Sequence, residues 1–180
     1  MLKIYDDTHP ILRKVASEVP LPLSKEDSDL LFAMAKHLIE SKDPDLAKKY
    51  NLRPGVGLAA PQVGVSKRLI VLHYPNDDDT TTLYMLANPK IISQSVREAY
   101  LEDGEGCLSV PEDHAGLVFR PNRIKVKAFD LHTNKDIVIR AEGYDAIVLQ
   151  HEIDHLNGVL YYDHINPLQA LARKQKAVKI

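Results

Sequence analysis

Residues 151–155 read His-Glu-Ile-Asp-His. On a helix, positions four apart lie one above the other, so His151 and His155 share a face and can share one metal ion. Glu152 lies beside that face, close enough to exchange a proton with a water without ligating the ion. The same face carries Tyr144, Ile147 and Val148, and a bare histidine pair among such neighbours is costly to bury unpartnered. The chemistry predicted is metal-assisted hydrolysis.

Two imidazoles do not hold a catalytic ion, so a third ligand is needed. His151-Glu152-x-x-His155-x-x-Gly158 begins like a metzincin protease signature, but that signature requires histidine where this chain has Tyr161. No glutamate follows Glu152, which removes proteases that take a later Glu, and leaves Asp163 and His164 as fallback ligands. A better candidate is Cys107, within Glu105-Gly106-Cys107-Leu108-Ser109, where Gly104 and Gly106 allow the backbone an unusual path. One thiolate and two imidazoles leave a fourth position open, as a catalytic site requires. A third segment, Gly55-Val56-Gly57-Leu58-Ala59-Ala60-Pro61-Gln62, lacks the lysine of a phosphate loop. Its glycines suit a backbone that approaches a ligand or another strand closely, and Gln62 offers an uncharged hydrogen-bond donor.

These residues need a scaffold, and the composition predicts an ordinary globular one. The 180 residues are 44% hydrophobic and 27% charged, against the pattern of a disordered chain. Lys plus Arg number 23 and Asp plus Glu 25, a net charge of −2 that gives no reason to expect a specific nucleic acid or an anionic membrane as partner. No apolar run approaches the roughly 18 residues of a spanning helix. The opening Met-Leu-Lys-Ile-Tyr-Asp-Asp does not read as a secretory leader. A single cysteine excludes an intramolecular disulfide and points to a reducing, cytoplasmic setting.

The chain reads as one domain over 1–180, with a frayed tail from about 166. An extended, proline-bearing arm, with one helical turn over 11–16, precedes a helix that Ser24 caps and Pro44 terminates. Strands are predicted over 68–72, 82–87, 91–100, 116–120, 124–130 and 137–141, with an exposed loop at 75–79 and a hairpin turn at Asn134-Lys135. The histidine helix runs from Tyr144 to about Asn157, and Gly158 provides a left-handed end. Strands in the middle with helices near both ends imply an α+β fold.

In this order, G-V-G-L-A-A-P-Q at 55–62, E-G-C-L-S at 105–109 and H-E-I-D-H at 151–155 resemble peptide deformylase. The spacers resemble the Gram-positive type of the family. The resemblance implies antiparallel β-sheets around a central H-E-x-x-H helix, with an N-terminal helix. It makes Cys107, His151 and His155 the ligands of one divalent ion, Fe2+ physiologically, with Zn2+, Ni2+ or Co2+ as substitutes. Glu152 becomes the general base and later the proton donor, while the Gln62 amide and the Leu108 backbone N–H hold the formyl oxygen. The activity implied is removal of the formyl group from the N-terminal methionine of nascent polypeptides, with release of formate. Val56, Gly57, Tyr144, Ile147 and Val148 are placed beside the methionine and its backbone. An arginine that contacts substrate in some members has His114 at the nearest position, and Arg120 is left a structural role. The resemblance also implies a cytoplasmic monomer, with the basic residues Arg173, Lys174, Lys176 and Lys179 as a possible transient contact to the ribosome.

Two rivals use the same residues. A metalloendopeptidase would take a nitrogen or oxygen third ligand and keep its metal when Cys107 is replaced. A structural metal site would normally be closed by four protein ligands, and three stand out here.

Overall fold

The computed structural model describes residues 2–76, 78 and 80–180. Five antiparallel strands form the main sheet: β1 (Gly57–Ala59), β2 (Leu69–Pro75), β3 (Thr81–Gln94), β6 (Arg123–Asp130) and β7 (Lys135–Glu142), in spatial order β1-β2-β3-β6-β7. A smaller sheet has β4 (Glu98–Tyr100) at its centre, with β5 (Arg120–Pro121) antiparallel on one side. On the other side β8 (Val178–Lys179) runs parallel to it.

Residue alternation explains which strands of the main sheet are covered on both faces. Leu69 and Val71 of β2 pack with Leu31, Met34, Ala35 and Leu38 of helix α1 (Lys25–Glu40). Ile70, Leu72 and Tyr74 point the other way, into a cluster with Ala146, Val148, Leu149, Ile153 and Leu156 of helix α3 (Tyr144–Leu156). A strand buried on both faces must read as a continuous apolar run, which β2 does over Leu69–Leu72. In β6, by contrast, Ile124, Val126 and Ala128 are buried while Arg123, Lys125 and Lys127 are exposed, so only one face is covered. Sheets that are antiparallel except for β8, around a central helix and with α1 near the N-terminus, are the α+β architecture expected.

Local chemistry sets the boundaries. Ser24 caps α1 by accepting the Asp27 N–H. That helix ends at Glu40, and Pro44 does not stop it but starts helix α2 (Pro44–Tyr50), whose Asp43 cap accepts from the Asp45 and Leu46 N–H groups. Proline fits the first turn because its missing N–H would be unpaired there anyway. The arm's turn is a short 3-10 segment over Pro10–Arg13. Two of the predicted strands prove to be otherwise divided: β3 continues through Pro89 with register shifts at Ala87/Lys90 and Ile91/Ser93, and 98–100 belongs to the other sheet. Left-handed Asn88 (φ 52°) accommodates the first shift. Of the strand predicted over 116–120, only Arg120 is extended into β5. The loop predicted at 75–79 has Pro75 in β2, and its Asp77 and Asp79 lie outside the described residues.

The reading of 166–180 as a frayed tail is corrected. These residues form helix α4 (Pro167–Lys174) and strand β8. Arg173 pairs with Glu98, Lys179 with Glu102, and the Lys174 ammonium lies over the Tyr100 ring. The basic residues there are largely engaged with their own chain.

Candidate active site

Helix α3 crosses the interior and is buried along most of its length. It brings His151, Glu152 and His155 beneath a cleft of about 260 Å³. The cleft's other walls come from 54–57, 105–108 and the first turns of α3.

Cys107 enters on an irregular loop between β4 and β5. One ligand atom from each of Cys107, His151 and His155 falls within 4.8 Å of the others, the one such cluster among the described residues. Cys107 Sγ is 3.3 Å from His155 Nε2. Ligands bound tetrahedrally at about 2.1 Å for nitrogen and 2.3 Å for sulfur are themselves roughly 3.6 Å apart, so this spacing fits a shared ion. The fallback ligands are elsewhere: Asp163 bonds Arg13, and His164 bonds Asp154.

Electrostatics favour a cation at this point. Burial works against a charged His151 imidazole, but the Cys107 sulfur and the Glu105 carboxylate outweigh it and push its pKa up to about 10. A pocket that draws a proton so strongly suits a divalent ion in its place. Burial, with His151 and Arg120 nearby, drives His155 well below the usual histidine range, which leaves it a neutral lone-pair donor.

Behind His151 stands a charged network that sequence reasoning passed over. His151 Nδ1 is 2.8 Å from Glu105 Oε2. Burial raises the Glu105 pKa, but hydrogen bonds from His151 and Arg120 prevail and bring it to about 2. Arg120 grips both Glu105 oxygens at 2.6 and 3.0 Å and reaches Asp154 at 2.7 Å. Such partners fix a ligand's tautomer and orientation. In the sequence Glu105 stands out only as Cys107's neighbour, and Arg120 only as a residue with a structural role. The missed signal was two charges, a Glu beside Cys107 and an Asp beside His155, in segments that must be buried.

Glu152 is 3% exposed, and its Oε2 has no hydrogen-bond partner among the described residues. Burial lifts its pKa to about 7 against the pull of His151 and Arg120. Gly57 makes its room: a Cβ at 57 would overlap Oε1 of Glu152 and lie 2.6 Å from its Cδ. Gln62, in a short 3-10 turn after β1, accepts the Ala59 N–H through Oε1 at 2.8 Å. That fixes the amide so that its NH2 points to Ser109 Oγ (3.2 Å) and Cys107 Sγ (3.6 Å). Leu108 lines the cleft in a turn closed by the Val110 N–H and the Cys107 carbonyl.

Val56, Gly57, Tyr144, Ile147 and Val148 all line the cleft. His114 does not: it is exposed and packs on Tyr162. Of the two glycines near Cys107, only Gly104 has a positive φ (83°), while a side chain at Gly106 would meet open space. Lys42, not singled out in the sequence, also lines the cleft, and its ammonium bonds the His73 backbone carbonyl.

The comparisons agree with this geometry. A family model for polypeptide deformylase matches residues 1–171. The peptide deformylase of Staphylococcus epidermidis is 50% identical over 181 residues, covering 100% of this chain and 98% of that one. Peptide deformylase 2 of Bacillus cereus is 52% identical over 166 residues, 92% of this chain and 90% of its own. Among solved structures, a probable peptide deformylase from a synechococcus phage superposes with a TM-score of 0.75 at 36% identity, covering 92% of this chain and 100% of that one. The Acinetobacter baumannii class I type b enzyme, with Met-Ala-Ser bound, gives 0.72 at 32% identity, over 92% of this chain and 98% of that one. With its cysteine–histidine cluster beneath a cleft and its relatives of Gram-positive origin, the chain belongs to the polypeptide deformylase family, metal-dependent hydrolases that remove the N-formyl group from newly made polypeptides.

Proposed function

We propose that Cys107, His151 and His155 hold one divalent ion, and that Glu152 is the group that moves protons as the formyl amide of an N-formyl-methionyl peptide is hydrolysed. When bound, such an ion lowers the pKa of water toward about 7 and polarises a carbonyl. Glu152 has the burial and the pKa to accept a proton from water near neutrality and return it to the departing amine. The Gln62 amide, held from behind by the Ala59 N–H, and the Leu108 N–H donate to the formyl oxygen as it gains negative charge. The soft thiolate and borderline imidazoles accept Fe2+, Zn2+, Ni2+ or Co2+, and the family resemblance favours Fe2+ as the physiological ion.

The peptide lies as an added strand. Strand β1 is an edge of its sheet, and residues 55–57 line the cleft, so main-chain pairing accepts many sequences. Selectivity rests on Val56, Tyr144, Ile147 and Val148 enclosing the methionine side chain. That the Acinetobacter baumannii relative binds Met-Ala-Ser supports the same product here. We read the chain as one catalytic domain, a cytoplasmic monomer, meeting nascent chains beside the ribosome.

The observation that carries this reading is the unpartnered, buried Glu152 carboxylate adjoining the ligand cluster. Glu152→Gln keeps its shape and is expected to slow formyl-Met-Ala-Ser turnover by at least about 10²-fold, with metal content still near one ion per chain. Loss of the metal with undiminished turnover per bound ion would assign Glu152 to ligation instead.

A further inference from the structure

Cys107 sits on a loop without strand or helix from Leu101 to Phe119. A thiolate on such a loop is held in place only as well as the loop is. Arg120 holds the front through Glu105. Beyond Cys107, Gln62 bonds Ser109 and Arg53 bonds the Val110 carbonyl, and the loop is tied to the end of the histidine helix through Tyr161, at the position where a metzincin would place its third histidine.

Tyr161 is 2% exposed. Its hydroxyl accepts the His114 backbone N–H at 3.0 Å, which ties down the chain beyond Cys107. Its ring clusters with Cys107, Val110 and Val118 and is stacked beside His151 at 6.2 Å between centroids, 20° from parallel. It therefore touches the surroundings of a ligand on the loop and of a ligand on the helix.

The post is itself anchored. Gly158 (φ 73°) turns the chain out of α3, and Tyr161 opens the 3-10 turn Tyr161–His164. Asp163 accepts the Leu160 N–H at 2.9 Å and the Arg13 guanidinium at 2.5 Å. His164 reaches back to Asp154 at 2.8 Å. The next residue, Ile165, packs so closely on Gly116 that a Cβ there would overlap it.

We propose that Tyr161 is a positioning residue that sets how firmly the Cys107, His151 and His155 site retains its ion, by fixing the cysteine loop relative to the histidine helix. This rests on the ligand assignment above. Tyr161→Phe removes the hydroxyl and keeps the ring, so the fold and the ligands survive. Supports of this kind commonly change metal affinity by 10-fold or more, and one lost hydrogen bond predicts about a 5-fold faster release.

The test follows the sulfur-to-cobalt absorption of the Co2+-loaded full-length protein after addition of excess chelator. Ile124→Val, in the sheet away from the cleft, serves as a control for general destabilisation. Tyr161→Phe should release cobalt about 5-fold faster than wild type, with turnover per bound ion within about 2-fold, and Ile124→Val should match wild type. Release from Tyr161→Phe at the wild-type or control rate overturns the proposal. A wild-type protein without the cobalt–thiolate absorption would instead refute the ligand assignment, and the inference with it.

Discussion

A glycine and a glutamate define each other in this site. Gly57 has no strained φ, so alanine is compatible with its backbone, and its absent side chain is the space Glu152 occupies. Gly57→Ala is therefore expected to fold, lose about 1–3 kcal/mol to overpacking, and cut kcat by roughly 10- to 100-fold through a displaced carboxylate. Metal content should not change, which metal analysis beside steady-state kinetics would establish. An unaffected kcat would mean that Glu152 can shift without loss. The H-E-x-x-H pair was legible because chemistry constrains residue type at a fixed separation, whereas Cys107 was reached by asking for a third ligand and Gln62 through the family resemblance of its segment. Gly57 was legible only as a close approach, since nothing local says which side chain approaches it. Glu105 and Arg120 illustrate the same limit: they stand 15 residues apart, and their pairing comes from two segments folding together.

At the scale of elements, the caps and periodicities that are local in sequence were legible, and pairings that depend on the rest of the molecule were not. Helix α1 shows both. Ser24 and Asp27 could be read as its opening, and Ser24 Oγ does donate to Asp27 Oδ2 at 2.8 Å. Nothing local marks Lys67, just before β2, as the residue that reaches Asp27 at 2.6 Å and so pins the helix to the sheet it covers. Burial opposes the Asp27 charge, but hydrogen bonds from Lys67 and Ser24 hold its pKa below 3.8. A carboxylate with a lowered folded-state pKa contributes stability that is full above its unfolded value and fades as pH falls through the folded one. Asp27→Asn should thus cost about 1 kcal/mol at pH 7, and the difference from wild type should shrink below about pH 3.8. Urea unfolding at pH 7, 4 and 3 reads this directly, and a gap that stays constant would exclude the ionised Asp27 as its source. Pro44 failed as a stop signal for a similar reason, since whether a proline ends one helix or begins another depends on the Asp43 cap before it.

Over the whole molecule, the C-terminal end of the chain returns to the wall of the cleft, which is the least legible feature of all. Short, polar and charged, 166–180 carries the composition of a loose terminus, and β4 with the residues beside it gives it partners. Strand β8 pairs Val178 with Ala99 and Lys179 with Tyr100, and the Ile180 N–H donates to the Tyr100 carbonyl at 3.0 Å. The Glu102 N–H returns a bond to the Ile180 carbonyl, so the two bracket Leu101, which lines the cleft. Without that pairing, β4 keeps strand pairing with β5 alone, over two residues, and the backbone on either side of Leu101 loses its bonds to Ile180. Ile180→Pro removes the donor to Tyr100 and leaves α4 and the Cys107, His151 and His155 cluster untouched. For a chain of this size a loss of about 1 kcal/mol lowers Tm by roughly 2–4 °C. If β8 also holds the cleft wall, KM for formyl-Met-Ala-Ser should rise about 3-fold while kcat and metal content stay within 2-fold, because Leu101 is placed to meet peptide and not the reacting group. A lowered Tm with unchanged KM would confine β8 to stability, and a fall in kcat would place the disturbance at the ligands instead.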